Sequence, residues 1–302
     1  MDIHKLLNTS DIYLSGKSDK IKLALCAIFS SGHVLIEDVP GVGKTTLVKL
    51  LGKLLNQDVN RVQFTNDILP SDIIGTSIYN RDTHLFEFQH GPIFGEIILA
   101  DELNRAPAKT QSALLQSMEE KNVTVDGKTY ELPETFTVFA TQNPNVQIGT
   151  FDLPESQLDR FCLKFDLGYP DRVSSIKMLK NNSKNTEIKR ITSEINSEIL
   201  ISIRQKITTI KLDDSLYEYI YSLLEYSRQN TKYVALSNRC GIDLVKTSKT
   251  IAYMNDRDYV IPDDIQFIFP FVAGHRLVHP SQSSIEKEHI MASEILTSIP
   301  LR

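Results

Sequence analysis

The stretch "VLIEDVPGVGKTTLVKLL", residues 34–51, limits what this chain can fold into more than any other. A compact apolar run, a glycine-bearing turn and a helix-spaced segment follow one another, the order a phosphate-binding loop requires. In such a loop, backbone N–H groups curl round a phosphate at a helix N-terminus, where the dipole favours negative charge. Pro40, Gly41, Val42, Gly43, Lys44, Thr45 and Thr46 are therefore the expected nucleotide contacts. Lys44 is expected to reach the β- and γ-phosphate oxygens, and Thr45 to place its hydroxyl on Mg2+. One position departs from the pattern G-x-x-x-x-G-K-[ST]: Asp38 stands where the first glycine belongs. Aspartate tolerates positive φ better than most residues. The cradling amides belong to later residues, so a carboxylate at 38 is expected to point outward and be screened by solvent.

The first part of the chain alternates short apolar runs with helical patterns, the signature of a parallel sheet flanked by helices. "HVLIE" (33–37), "NRVQF" (60–64), "EIILAD" (96–101), "FTVFAT" (136–141) and "CLKFDL" (162–167) are the strand candidates. "KTTLVKLLGKLL" (44–55) and "PAKTQSALLQSMEE" (107–120) read as helices, the second opening on a proline that suits a first helical turn. Two insertions break the rhythm: a hairpin over 76–91, and another over 122–132 with Asp126-Gly127 at its turn. The polar stretch 180–190 reads as a linker or exposed loop. Beyond it "ISIRQKI", "DSLYEYIYSLLEYSRQ", "RCGIDLVKTSKTIAYM" and "PDDIQFIFPFVAGHRL" read as helices. The expected fold is α/β, an αβα nucleotide-binding core over 1–190 followed by an all-α domain over 191–302.

A magnesium site also needs an acid at the end of a second strand. "IILADE" supplies Asp101, expected to hold the metal through water, and Glu102, placed to polarise the attacking water as general base. A solvated strand end is the plainer alternative for this pair. Asn143 ends the run "VFATQN" with a neutral amide that can orient the same water without competing for the metal. Arg160 in "LPESQLDRF" stands just ahead of a strand, suited to donate its guanidinium to a neighbouring subunit's γ-phosphate. Taken alone, "DRF" reads as a surface salt bridge. Arg239 in "LSNRCG" stands at a helix start in the second domain, placed to report γ-phosphate loss to that domain.

With 33 basic and 38 acidic residues the net charge is −5, so nothing global invites nucleic acid or anionic lipid. Cys26, Cys162 and Cys240 are too scattered for a ligand cluster and are expected as buried free thiols in a reducing compartment. No apolar run approaches the ~20 residues of a membrane span, and the first residues lack a signal-peptide pattern. A cytoplasmic protein without membrane insertion is expected.

"RVQFTNDILPSDIIG", "GPIFGEIILADELNRAPAKTQSALLQSMEE", "ATQNP" and "GTFDLPESQLDRF" together resemble the signature of the MoxR family of AAA+ ATPases. "SNR", "NDRDYVIPDDI" and "GHRL" resemble the family's lid, so the likeness covers nearly the whole chain. The resemblance implies a parallel sheet of order 5-1-4-3-2, a C-terminal helical lid and a hexameric ring. It assigns the hairpins to the helix-2 and pre-sensor-1 insertions. Matched position by position, Lys44 and Thr45 belong to the first ATPase motif (Walker A), and Asp101 and Glu102 to the second (Walker B). Asn143 becomes sensor 1, Arg160 the arginine finger and Arg239 sensor 2. The implied activity is ATP hydrolysis with Mg2+, driving lid motion and chaperone-like remodelling or activation of a partner, often one bearing a von Willebrand factor A (VWA) domain. No D-x-S-x-S motif of such a domain occurs here, so that partner is expected to be a separate chain.

Two other functions compete. A nucleic-acid motor would carry basic, aromatic-bearing hairpin tips. Asn80-Arg81-Asp82-Thr83 and Asp126-Gly127-Lys128 are mixed in charge, which argues against nucleic acid. A switch that assembles partners on ATP without hydrolysing it is the other. His275 and His279 lie four apart, a metal-ligand spacing, but have no acidic or cysteine partner nearby, and Pro280 ends the helix. Arg276 either anchors the lid or lies exposed, and Arg105 is a candidate for facing a neighbouring subunit. Tyr217, Tyr221 and Phe271 are expected in the lid core.

Overall fold

The structure, a computed structural model, describes residues 3–14, 16–143, 151–170, 172, 175–176, 191, 193 and 195–300. The expected linker over 180–190, and with it the boundary after residue 190, lies outside the described residues. Two helices lead the chain, α1 (Ile3–Tyr13) and α2 (Ser18–Phe29). The alternating part follows as β1 (Val34–Glu37), α3 (Lys44–Leu55), β2 (Val59–Gln63), α4 (Pro70–Ile74), β3 (Gly75–Asn80) and β4 (Leu85–His90). It continues as β5 (Ile97–Asp101), α5 (Ala108–Glu120), β6 (Asn122–Val125), β7 (Lys128–Glu131), β8 (Thr137–Gln142), α6 (Glu155–Leu158) and β9 (Leu163–Phe165). The rest is helical: α7 (Ser197–Thr208), α8 (Asp214–Gln229), α9 (Asn238–Met254), α10 (Pro262–Leu277) and α11 (Ile285–Ser298). Pro107 proves to be the residue before α5 rather than part of its first turn.

Strands β2-β5-β8-β1-β9 form one five-stranded sheet, parallel throughout. Counting only these strands along the chain, the order is 5-1-4-3-2 from the β9 edge, as the resemblance implies. The central strands are apolar at nearly every position because both faces are covered. Alternation splits their side chains between two packed layers. Ile36, Leu99 and Phe139 join α2, α3 and the C-terminal helices in one cluster. Leu35, Ile98 and Ala140 join Leu114 and Leu115 of α5, Phe64 and Phe161 in the other. β3–β4 and β6–β7 are antiparallel hairpins, as expected, with Asp126 and Gly127 both at positive φ in the second turn. Phe88 of β4 lies against Tyr130 of β7 with ring centroids 4.4 Å apart, so the two insertions pack on each other.

The C-terminal helices share the first cluster with the core, and a charged group crosses the same seam. Lys164 of β9 is 4% exposed, and its ammonium lies 2.9 Å from Glu37 of β1 and 2.6 Å from Glu288 of α11. Burial alone would lower this lysine's pKa, but Glu288 and then Glu37 outweigh it and the net shift is upward. Gln142 Nε2 donates to the same Glu37 carboxylate. In the helical part, Tyr217 and Tyr221 are not core residues: they are 44% and 54% exposed. The buried stripe of α8 runs through Leu216, Tyr219, Ile220, Leu223 and Leu224, which turns 217 and 221 to the outer face. Phe271 does pack against the core, partly buried. Lys164→Met should lower stability by about 3–5 kcal/mol, because two carboxylates are left facing each other in the interior. Urea denaturation would read this as a lowered midpoint, and an unchanged midpoint would contradict it.

Candidate nucleotide site

The loop after β1 is fastened at its base by Asp38. The Asp38 N–H donates to the Gln142 carbonyl at 3.1 Å, continuing the β1–β8 pairing by one residue. Its carboxylate does not point outward: Asp38 is 7% exposed. Oδ2 accepts the N–H groups of Leu167 and Gly168 at 2.8 and 2.7 Å, and Oδ1 accepts that of Val39 at 2.8 Å. Asp38 is also absent from the positive-φ positions, so glycine's freedom is not required there. The expected solvent-screened carboxylate is therefore corrected to a buried tie between the loop and the segment after β9. Lys17 Nζ holds that segment from the other side, donating to the carbonyls of Leu167, Gly168 and Tyr169 at 2.6, 3.2 and 2.9 Å.

Gly41 and Gly43 carry φ of +87° and +103°, a region closed to most side chains, and α3 begins at Lys44. A side chain on Gly41 would meet no protein atom within 4 Å, so the space over the loop is open. Open space over the loop and the N-terminus of a 12-residue helix fit a phosphate. Lys44 Nζ lies across the loop, donating to the carbonyls of Asp38 at 2.6 Å and Val39 at 3.1 Å. Burial pushes its pKa below the usual lysine value, with Asp38, Asp101 and Glu102 pulling the other way. Asp101 and Glu102 therefore lie within electrostatic reach of the loop lysine.

Asp101 ends β5 with its carboxylate engaged on both sides. Oδ1 accepts the Thr141 hydroxyl at 2.6 Å, and Oδ2 lies 2.7 Å from Arg61 NH2. Glu102 follows in the left-handed region at φ 58°, strained for a residue with a side chain. Its N–H donates to Thr141 Oγ1 at 3.0 Å, and its carboxylate pairs with Arg105 at 2.8 Å. Arg105, considered above for a neighbouring subunit, is thus engaged within its own chain. Thr141 and Arg61 were not singled out in the sequence, although Thr141 lies inside the block "ATQNP". Asn143, half-buried, follows β8 at the same end of the sheet. Because β5, β8 and β1 are parallel neighbours, their C-terminal ends bring Lys44, Thr45, Asp101, Glu102 and Asn143 to one edge.

Arg160 and Arg239 lie elsewhere. Arg160 precedes β9, whose first residue Leu163 pairs with Val34, the first residue of β1. It therefore lies at the N-terminal end of the sheet, and the strands separate it from its own phosphate loop. Arg160 NH2 lies 3.0 Å from Glu119 Oε2, and Arg239 NH2 reaches the other oxygen of the same carboxylate. Arg276 is the buried anchor of this corner: its guanidinium donates to the carbonyls of Asp159 and Phe161 and pairs with Asp159 and Asp243. His275 is buried with Nε2 at 3.1 Å from the Phe161 carbonyl, and His279 lies exposed 4.0 Å from Glu155. No metal-binding group of three or more His, Cys, Asp or Glu occurs among the described residues.

Residues 33–163 match the ATPase family associated with various cellular activities (AAA), and residues 227–299 match the AAA lid domain. Chaperone MoxR1 of Mycobacterium tuberculosis is 35% identical over 274 residues, 87% of this chain and 72% of that protein. The chain belongs to the MoxR family of AAA+ ATPases. A second relative of this MoxR-family protein, the uncharacterised YeaC of Bacillus subtilis, is 44% identical over 306 residues, 99% of this chain and 95% of its own. The solved structure of a Cytophaga hutchinsonii protein assigned as an ATPase superposes with a TM-score of 0.87 at 35% identity, covering 100% of this chain and 97% of that one. Asp38→Gly should destabilise this MoxR-family protein by about 1–3 kcal/mol, since the N–H groups of Leu167, Gly168 and Val39 lose their acceptor. It should not tighten nucleotide binding. Denaturation and titration with a fluorescent ATP analogue read both quantities, and tighter binding with unchanged stability would go against the assignment.

Proposed function

We propose that this protein hydrolyses ATP at the seam between two copies of itself and uses the turnover to remodel or activate a partner protein. The observation that carries this reading is the separation of the two halves of the site. The phosphate loop and the acid pair stand at one end of the sheet, Arg160 and Arg239 at the other. A protomer packed head to tail on the next would set these guanidiniums against its neighbour's phosphates, and repetition of such a contact closes a ring. A six-membered ring is the proposed form.

In this mechanism Lys44 and the amides of the loop bind the triphosphate. Magnesium, when held by Thr45 and through water by Asp101, supplies charge neutralisation at the phosphates. Thr141 fixes both acids, holding the Asp101 carboxylate and the Glu102 backbone at once. Glu102 accepts the proton of the attacking water, and Asn143 orients that water. Arg160 of the neighbour stabilises the charge that spreads over the transferred phosphoryl oxygens. Arg239 joins it from the helical lid, so phosphate loss is felt on both sides of the core–lid seam and moves the lid.

The proposed target is a protein, in keeping with the family resemblance a separate one bearing a VWA domain. Ile78, Tyr79, Leu85 and Phe86 are exposed on the β3–β4 hairpin, Phe86 by 74%. That surface suits an apolar protein face better than a polyanion. Three free, buried thiols suit a reducing, cytoplasmic setting. No helix among the described residues is long and apolar enough to cross a membrane.

Glu102→Gln should retain ATP binding and lower steady-state phosphate release by at least about 100-fold. Equal rates in both proteins would favour the non-hydrolysing switch. Lys44→Ala and Arg160→Ala should each be inactive alone and regain activity when mixed, because the first supplies the arginine and the second the cradle. Mixtures that stay inactive would defeat the shared site.

A further inference from the structure

Glu119 stands in the last turn of α5, where one carboxylate receives the guanidiniums of Arg160 and Arg239 on separate oxygens. The backbones that carry the three charges are fixed independently. His33 sets the spacing between the first two: its Nε2 lies 3.1 Å from the Met118 carbonyl, and its own carbonyl accepts the Cys162 N–H at 2.9 Å. Its Nδ1 accepts the Val138 N–H, so Nε2 carries the proton and donates to Met118. Arg276 clamps the carbonyls on either side of Arg160. Ser237, two residues before Arg239, donates to the Asp159 carboxylate at 2.9 Å. Side-chain torsions alone suffice to move the two guanidiniums off the carboxylate.

The three side chains are part-exposed, Glu119 by 41%, Arg160 by 29% and Arg239 by 38%. Ion pairs of this exposure are weak and exchange readily. The cluster holds two positive charges against one negative, so a second anion of higher charge would outcompete the carboxylate. A triphosphate presents such an anion in the geometry guanidinium favours.

We infer that Glu119 is a placeholder anion that holds Arg160 and Arg239 together in the free protomer and yields both to the neighbour's triphosphate when protomers close. This rests on the reading that both arginines act on a neighbour. Glu119 is then a positioning residue that sets the threshold for assembly. Each protomer must exchange carboxylate for phosphate before the seam closes. One acid serving both arginines makes their release a single event, joining the core's arginine to the lid's.

The test is the protein concentration at half-maximal ATPase rate, paired with sedimentation of Glu102→Gln protein carrying ATP. Glu119→Gln and Glu119→Ala should each lower that concentration roughly 3- to 10-fold and shift the sedimenting species to lower concentration, with kcat at saturating protein unchanged. Glu120→Gln, one residue on, whose carboxylate accepts from Gln116 in its own helix, should leave it where it is. A concentration that is unchanged or raised in the Glu119 variants overturns the placeholder, since a purely structural role would weaken assembly. If Lys44→Ala and Arg160→Ala fail to complement, the shared site itself falls. If they complement while Glu119→Gln does not shift the concentration, only the placeholder falls.

Discussion

Every strand of the central sheet runs the same way, and this one constraint sorts the functional groups. Loops that leave C-terminal strand ends collect on one edge, and segments that enter N-terminal ends collect on the other. Lys44, Asp101, Glu102 and Asn143 belong to the first set, Arg160 to the second. Helix α5 runs back from the acid edge, so Glu119 in its last turn arrives beside Arg160. The separation of the phosphate loop and acid pair from Arg160 follows from strand direction. A protomer folded this way carries the two halves facing apart.

Much of this was legible in the sequence because local patterns determine it. The apolar runs gave the five core strands, the loop glycines gave the cradle, and Asp126-Gly127 gave a hairpin turn. What escaped were the elements without a polar stripe and the contacts that only register creates. Helix α2 is buried at every position from Leu23 to Phe29, so no amphipathic period marks that stretch. Helices α1 and α11 were also not foreseen. Thr141 and Arg61 meet Asp101 across strands, at separations of 40 residues each. Tyr217 and Tyr221 share a helix face, but their spacing does not say which face is buried.

Asp38 shows how a motif position can be misread when considered alone. Considered alone, the carboxylate in the glycine's place reads as pointing outward into solvent. Instead the carboxylate ties the end of β1 to the segment after β9, and Lys17 grips that segment from its carbonyl side. The loop gains a fixed base, while the conformational freedom it needs remains at Gly41 and Gly43. A departure from the motif in sequence thus serves to anchor the loop in three dimensions.

The lysine buried between Glu37 and Glu288 has a mechanical consequence. It joins the lid's last helix to the sheet where the phosphate strand ends, and Gln142, one residue before Asn143, touches the same group. Lifting α11 from the core would strand charges in an apolar interior, whereas tilting about that point leaves the pairs intact. The lid's last helix is thus pinned to the sheet by charge, and parting the two at that point would cost far more than parting an apolar contact of the same size.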